Sequence, residues 1–166
     1  MSYRGTTVLE VKASPVVWAA LLERYGRAYF RPDEPGLEGP AFARPYDLCA
    51  DLLERLWGLR HYLGRPVNVV RTFGERPGSQ HHPDADGVIR AADIYSRYDA
   101  SFTLYDFYAA AERFCPSGLG AYPYRNSVHF DTRILAPGQP AARWWFDRKG
   151  KEQPWDRRGM AALLEA

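Results

Sequence analysis

The sequence predicts an α+β domain in which helices pack on a small, largely antiparallel sheet. Residues 46–63 repeat leucine at helical spacing (Leu48, Leu52, Leu56, Leu59, Leu63), whereas residues 67–70, 88–95 and 127–133 are short runs of strand type. With 166 residues and 18.9 kDa, the chain can close one sizeable core but not two comfortable ones.

In chain order, residues 6–12 alternate as a strand would. Residues 16–29 place Val16, Trp18, Leu21, Leu22, Tyr25 and Tyr29 near helical spacing. Residues 31–45 hold Pro32, Pro35, Pro40 and Pro45 with Gly36 and Gly39, which predicts a loop and a hinge. The leucine helix of 46–63 is widened by Cys49, Leu53 and Trp57. Asp47 and Arg60 suit its dipole, and Gly64 stands where a C-cap belongs. A buried strand over 67–70 follows Pro66, residues 74–87 form a loop, and 88–95 a second strand. Ser101 is expected to cap a helix whose inner face carries Leu104, Phe107, Tyr108, Ala111 and Phe114, ending near Cys115. Residues 118–123 are expected as a turn, and 127–133 as a third strand. The organisation expected is an N-terminal extension over 1–40 packed on the domain, a main domain over 41–150 and a C-terminal tail over 151–166. In that tail region Arg148, Lys149, Lys151, Arg157 and Arg158 form a solvated basic run.

Composition narrows the function. The chain is 46% hydrophobic and 25% charged with a mean hydropathy of −0.45, which excludes wholly disordered, coiled-coil and membrane-embedded classes. A formal net charge of +2 gives no polyanion signature, so no nucleic-acid partner is expected. No apolar run is long enough to span a membrane, so no membrane insertion is expected. Residues 1–12 lack a secretory signal, which predicts a protein cytoplasmic as synthesised. Cys49 and Cys115 are too few for a disulfide framework and are expected as buried thiols. A monomer is expected.

The chemistry concentrates on the four histidines, His61, His81, His82 and His129. His61, on the leucine helix, is expected as a partly exposed helix residue. The other three lie in loop or strand segments with carboxylates nearby: Ser79-Gln80-His81-His82, then Ala91-Ala92-Asp93, then Val128-His129-Phe130-Asp131. Two histidines and a carboxylate make a three-ligand zinc site with one open position, the arrangement hydrolytic zinc requires. Side chains two apart on a strand share a face, so His129 and Asp131 are expected to face one pocket with Val128 and Phe130 packed behind them. Asp131 is then placed as a general base or as a group orienting His129.

Ser-x-His, Ala-x-Asp, Gly-x-Gly-x-Tyr-Pro and Val-His-x-Asp, in that order over about residues 48–145, resemble the M15 zinc D,D-peptidases. The similarity is to the bacterial and phage peptidoglycan carboxypeptidases and endopeptidases with a Val-His-x-Asp ending. It implies the D,D-peptidase zinc fold, one Zn2+ per chain held by His81, Asp93 and His129, and peptidoglycan stem peptides as substrate. It further implies that Ser79 supports the first ligand by hydrogen bonding and that Arg71 faces the substrate carbonyl or carboxylate. The chain departs from the family pattern in several places. Residues 82–92 lengthen the interval between the first histidine and Asp93, with Ile89 where a glycine is usual, which leaves His82 as an alternative to His81. The stretch between Arg71 and Ser79 is short, which leaves Arg76 as an alternative arginine. Asn126 stands where many members carry an acid, so Asp131 is the expected base, with Glu75, Asp84 and Asp86 as outsiders. Tyr122 and Tyr124 are expected along the substrate groove, and Trp144 and Trp145 as core and groove wall.

The function expected is a zinc-dependent hydrolase of peptidoglycan peptide bonds, an endolysin or delivered effector acting at the cell wall, with Asp131 and Arg71 catalytic. A zinc-containing binding module on the same fold, catalytically weak or inactive, is the alternative.

Overall fold

The computed structural model describes residues 11–35 and 40–166. The strand expected over 6–12 lies almost entirely outside the described residues, as do Gly36 and Gly39. Mixed α and β elements follow in the order α1 (Pro15–Tyr25), a 3-10 turn (Pro45–Asp47), α2 (Ala50–Leu63), β1 (Val67–Arg71), β2 (Ala91–Ser96) and α3 (Leu104–Glu112). They continue with β3 (Gly118–Tyr122), a second 3-10 turn (Pro123–Arg125), β4 (Ser127–Asp131), β5 (Ala142–Phe146), β6 (Glu152–Pro154) and α4 (Arg157–Leu164). The six strands form one sheet in the order β1-β2-β4-β3-β5-β6. Every pairing is antiparallel except β3 with β5, which is parallel.

The core lies between the helices and one face of this sheet. Leu52, Leu53, Leu56, Trp57 and Leu59 of α2 are buried, as the leucine stripe predicts, and each large apolar side chain removed from water contributes about 1.5–3 kcal/mol. Facing them are the period-two residues of the sheet: Val67 and Val69, Ala92 and Ile94, Leu119 and Ala121, Val128 and Phe130. The opposite sheet face carries Asp93, Gly120, His129 and Trp144, and it is there that the site forms.

Helix α2 starts later than its leucine pattern suggests. Pro45 opens a 3-10 turn, and Leu48 and Cys49 are extended. The N–H of Cys49 donates to Ile89 O at 2.8 Å and that of Ile89 to Asp47 O at 2.7 Å, so Leu48 reaches the core from a bridge rather than from a helix. Gly64 ends the helix in the left-handed region at φ 60°, donating to His61 O. Helix α1 stops at Tyr25, short of the expected Tyr29, because Gly26 makes the same left-handed cap. Val17, Trp18 and Leu21 of α1 join the core. Ala41 and Phe42 are buried too, and Thr72 donates from its hydroxyl to Ala41 O at 3.2 Å, so the described end of the proline-rich loop packs on the core.

Four other expectations are corrected. Thr103, not Ser101, caps α3: its Oγ1 accepts from Asp106 N at 3.3 Å while its own N–H donates to Asp106 Oδ2 at 2.8 Å, a capping box. Ser101 instead closes a turn onto Asp99. Cys115 is exposed, because the chain leaves the helix there with φ 51°, and Arg55 donates to the Phe114 and Cys115 carbonyls at 2.6 and 2.7 Å. Residues 118–122 are a strand, not a turn. Finally, 151–166 is not a solvated tail: β6 pairs with β5, and α4, capped by Asp156 at Arg158 N and Gly159 N, buries Ala162 and Leu163.

Candidate metal centre

Strand register brings the site together. Asp93 of β2 lies directly opposite His129 of β4, and opposite residues of an antiparallel pair share a face. An irregularity in β1 between Val69 and Arg71 puts Arg71 opposite Asp93 on the other side. The long segment between β1 and β2 delivers His81. It is pinned there by the Gly74 N–H on its carbonyl at 2.9 Å and by its own N–H on Ser79 Oγ at 3.2 Å. Ser79 thus holds the backbone of His81 rather than its ring.

Three ligand atoms converge. His81 Nε2 lies 3.2 Å from Asp93 Oδ1, His129 Nδ1 lies 3.0 Å from the same oxygen, and the two nitrogens are 3.2 Å apart. All three residues are buried. The outer nitrogens fix the tautomers. His81 donates from Nδ1 to Thr72 O at 3.0 Å, and His129 donates from Nε2 to Asp131 Oδ2 at 3.0 Å. Both inner nitrogens therefore present lone pairs to a carboxylate oxygen. Three acceptors meeting in a buried space call for a cation between them, either a proton on one ring or a metal ion. Their separations are close to the edge of about 3.3 Å in a tetrahedron of 2.0 Å metal–ligand bonds, and two imidazoles with one carboxylate suit zinc. The three buried residues thus fit a metal ion and could hold one between them.

The charges around the triad hold Asp93 in its ionised, cation-binding form and favour a cation, proton or metal, on His129. Burial alone would raise the Asp93 carboxyl, but hydrogen bonds with His129 and His81 hold it far below the usual range. Arg71 adds a bond from Nε to Asp93 Oδ2 at 2.9 Å, which leaves Oδ1 for the triad. Burial likewise lowers His129, and Asp131 and Asp93 more than offset it, so the ring is a stronger base than free imidazole.

Asp131 faces this side of the sheet, as strand alternation predicts, yet it is fully buried. Its oxygens are taken by His129, by the Arg133 N–H at 3.0 Å and by the Arg133 guanidinium, whose Nε lies 2.9 Å from Oδ1. Burial would raise its carboxyl, but Arg133 and His129 hold it well below the ordinary range. Asp131 stands behind His129, accepting from its Nε2, which is the geometry of the orienting role among the two expected for it.

His82 turns away, its ring nitrogen 3.2 Å from Gly74 O, so of the two candidate histidines only His81 joins the triad. Arg71 and Arg76 both line the cleft over the triad, and so do Ser79, Tyr122 and Arg133. Tyr122 stacks on Phe146 with ring centroids 4.7 Å apart. Asn126 is a left-handed residue at φ 50° ending the turn after β3, outside the cleft wall. Asp84 is absorbed into its own loop, accepting from Asp86 N, Val88 N and Arg90 Nε. Tyr124 lines a neighbouring cleft rather than this one.

Two contributors, Arg133 and Glu152, were not singled out from the sequence, whereas Trp144 takes the groove-wall place expected of the tryptophan pair. Arg133 holds Asp131 and lies over the Trp144 ring at 5.1 Å. Trp144 stands 5.2 Å from the His129 ring as a cleft wall, while Trp145 is core. Glu152 is the one carboxylate among the described cleft-lining residues. The glycines of β3 make room for this assembly. A Cβ on Gly118 would fall 2.2 Å from Asp131 Oδ2, and one on Gly120 would fall 2.4 Å from the Trp144 indole. The Gly-x-Gly pair, at positions expected to turn, is instead the strand segment that leaves its outer face empty.

Comparison with protein-family models, with curated proteins and with solved structures finds no match to this chain. No helix among the described residues is long and apolar enough to cross a membrane.

Proposed function

We propose that the chain is a zinc-dependent hydrolase of peptide bonds directed at peptidoglycan stem peptides, as the motif resemblance to the M15 D,D-peptidases implies. One observation carries the hydrolase reading: two imidazole lone pairs and a carboxylate oxygen converge, each ring is locked by a second partner, and the group opens into a cleft. Zinc held by His81, Asp93 and His129 would supply a Lewis acid with an open position and lower the pKa of a water placed there. Thr72 and Asp131 keep the rings in the ligating tautomers, and Asp131 makes His129 a better donor. Arg71 offers positive charge beside Asp93 for the oxyanion that develops when a peptide carbonyl is attacked, and Arg76 and Arg133 extend that charge along the cleft. Tyr122 and Trp144 form its walls and restrict water around the bond being cut. On this reading the protein works at the cell wall after release or delivery.

The alternative, a zinc-containing binding module with little or no turnover, is favoured by Asp131, whose oxygens are both engaged by His129 and Arg133. Zinc content per chain in the wild type and in His129→Ala, followed by chromatographic assay of purified muropeptides, separates the two. One zinc lost in the variant, with new peptide termini released by the wild type, supports the hydrolase. Zinc without turnover supports the module, and no zinc after loading and removal of excess overturns both.

A further inference from the structure

Beside the triad's cleft lies a second one of about 490 Å³. The two share Arg71, Tyr122 and Phe146, so the stacked ring pair, tilted by only 18°, is a stiff partition between them. Beyond it the wall is cationic: Arg125 comes from the turn after β3, and Arg148 and Lys149 from the turn between β5 and β6. Among the described residues no carboxylate forms an ion pair with Arg125, Arg148 or Lys149. Asp147, the one acid in this wall, acts on Lys149 only through space and makes no ion-pair contact with the three cations. Its Oδ1 accepts from Lys149 N at 2.9 Å and Lys151 N at 3.0 Å, and its Oδ2 from Gln153 Nε2 at 3.1 Å. It therefore folds the turn that presents the cations. Arg148 is steadied over the Tyr124 ring at 5.3 Å. The result is an open pocket whose three cations touch no carboxylate, one ring-pair away from the triad, and Arg71 touches both spaces.

We propose that this second cleft is a carboxylate-binding subsite, in which Arg125, Arg148 and Lys149 hold an acidic group of the peptide whose neighbouring bond lies over His81, Asp93 and His129. That this peptide is cleaved over the triad rests on the hydrolase reading; the charge complementarity does not. Guanidinium groups pair with carboxylates by parallel charged hydrogen bonds, so acidic peptides are selected over their neutral analogues.

The test uses the zinc-loaded full chain and two synthetic stem pentapeptides, one with free carboxylates and one with every carboxylate converted to carboxamide. Calorimetric titration is expected to show the acid form bound about tenfold tighter or better. That preference is expected to collapse in the Arg125→Gln/Arg148→Gln/Lys149→Gln variant and to survive in Arg157→Gln, an exposed arginine outside the cleft. Equal affinity for the two peptides, no binding of either, or a preference intact in the triple variant overturns the subsite. Chromatography of the same mixtures keeps the two claims apart. Cleavage without any acid preference removes the subsite and leaves the hydrolase, whereas a preference that needs the three cations, with neither peptide cleaved, does the reverse.

Discussion

Replacing Asp131 by asparagine changes one atom and removes a charge, and the structure leaves the amide no good orientation. The carboxylate accepts from His129 Nε2 on one oxygen at 3.0 Å and from Arg133 N and Nε on the other at 3.0 and 2.9 Å. If the amide oxygen faces His129, its NH2 meets the donors of Arg133, and a charge-assisted bond worth about 1.5–3 kcal/mol is lost. If the NH2 faces His129, Nε2 must accept, the ring proton moves to Nδ1, and the lone pair that would bind metal is gone. Either way zinc affinity falls, by about 10- to 100-fold, which is about 1.4–2.7 kcal/mol. Competition of the wild type and Asp131→Asn against a chromophoric chelator measures this directly, with near-ultraviolet dichroism confirming that the variant is folded. A folded variant that binds zinc within about twofold of the wild type would refute ligation through His129 Nδ1.

Three further outcomes are expected. Gly120→Ala places a methyl on the Trp144 indole, so it costs about 1–3 kcal/mol in urea unfolding and shifts tryptophan emission as the ring is pushed from His129; unchanged stability would contradict the close approach. Thr103→Ala costs about 1 kcal/mol through the lost cap, while Ser101→Ala stays within about 0.5 kcal/mol, and the reverse order by the same assay would restore Ser101 as the cap. Asp84 supplies a pH dependence. Burial would raise its carboxyl, but bonds from Val88 N, Arg90 and Asp86 N lower it below its unfolded value near 3.9. A depressed folded pKa contributes stability that is present above the unfolded value and lost as pH falls through the folded one. The urea midpoint of the wild type should therefore drop more steeply below about pH 4 than that of Asp84→Asn, and parallel curves would remove the effect.

Parts of this molecule are legible from residue order alone. The α2 stripe is visible because helical periodicity and a glycine cap are local signals, and His129 with Asp131 because strand alternation is. The convergence of His81, Asp93 and His129 was suggested by motif resemblance, and the register between β2 and β4 supplies the geometry that residue order could not. Other features depend on tertiary context. Strand β3 hides behind two glycines, which read as a turn because the Trp144 and Asp131 side chains that need their empty face come from elsewhere in the chain. Strand β6 is only three residues long and β5 shows no clean burial alternation, so both lack a strand pattern, whereas α4 carries local signals in its Asp156 cap and its amphipathic face. Asp131 illustrates a further limit: alternation gives the face of a residue, while Arg133 decides what that residue is free to do.

Two of the converging ligands come from paired strands and the third from the segment joining β1 to β2. Asp93 and His129 are fixed by the sheet ladder, so half of the cradle is rigid before any ion arrives. His81 is held through Thr72 O, Gly74 N and Ser79, all within that connecting segment. An ion bridging the two halves acts as a cross-link that closes the segment into a ring fastened at His81, removing chain entropy there and almost none in the sheet. Amide exchange thus maps occupancy unevenly: protection rises at Gly74, His81 and His82, while β2 and β4, already slow, change little.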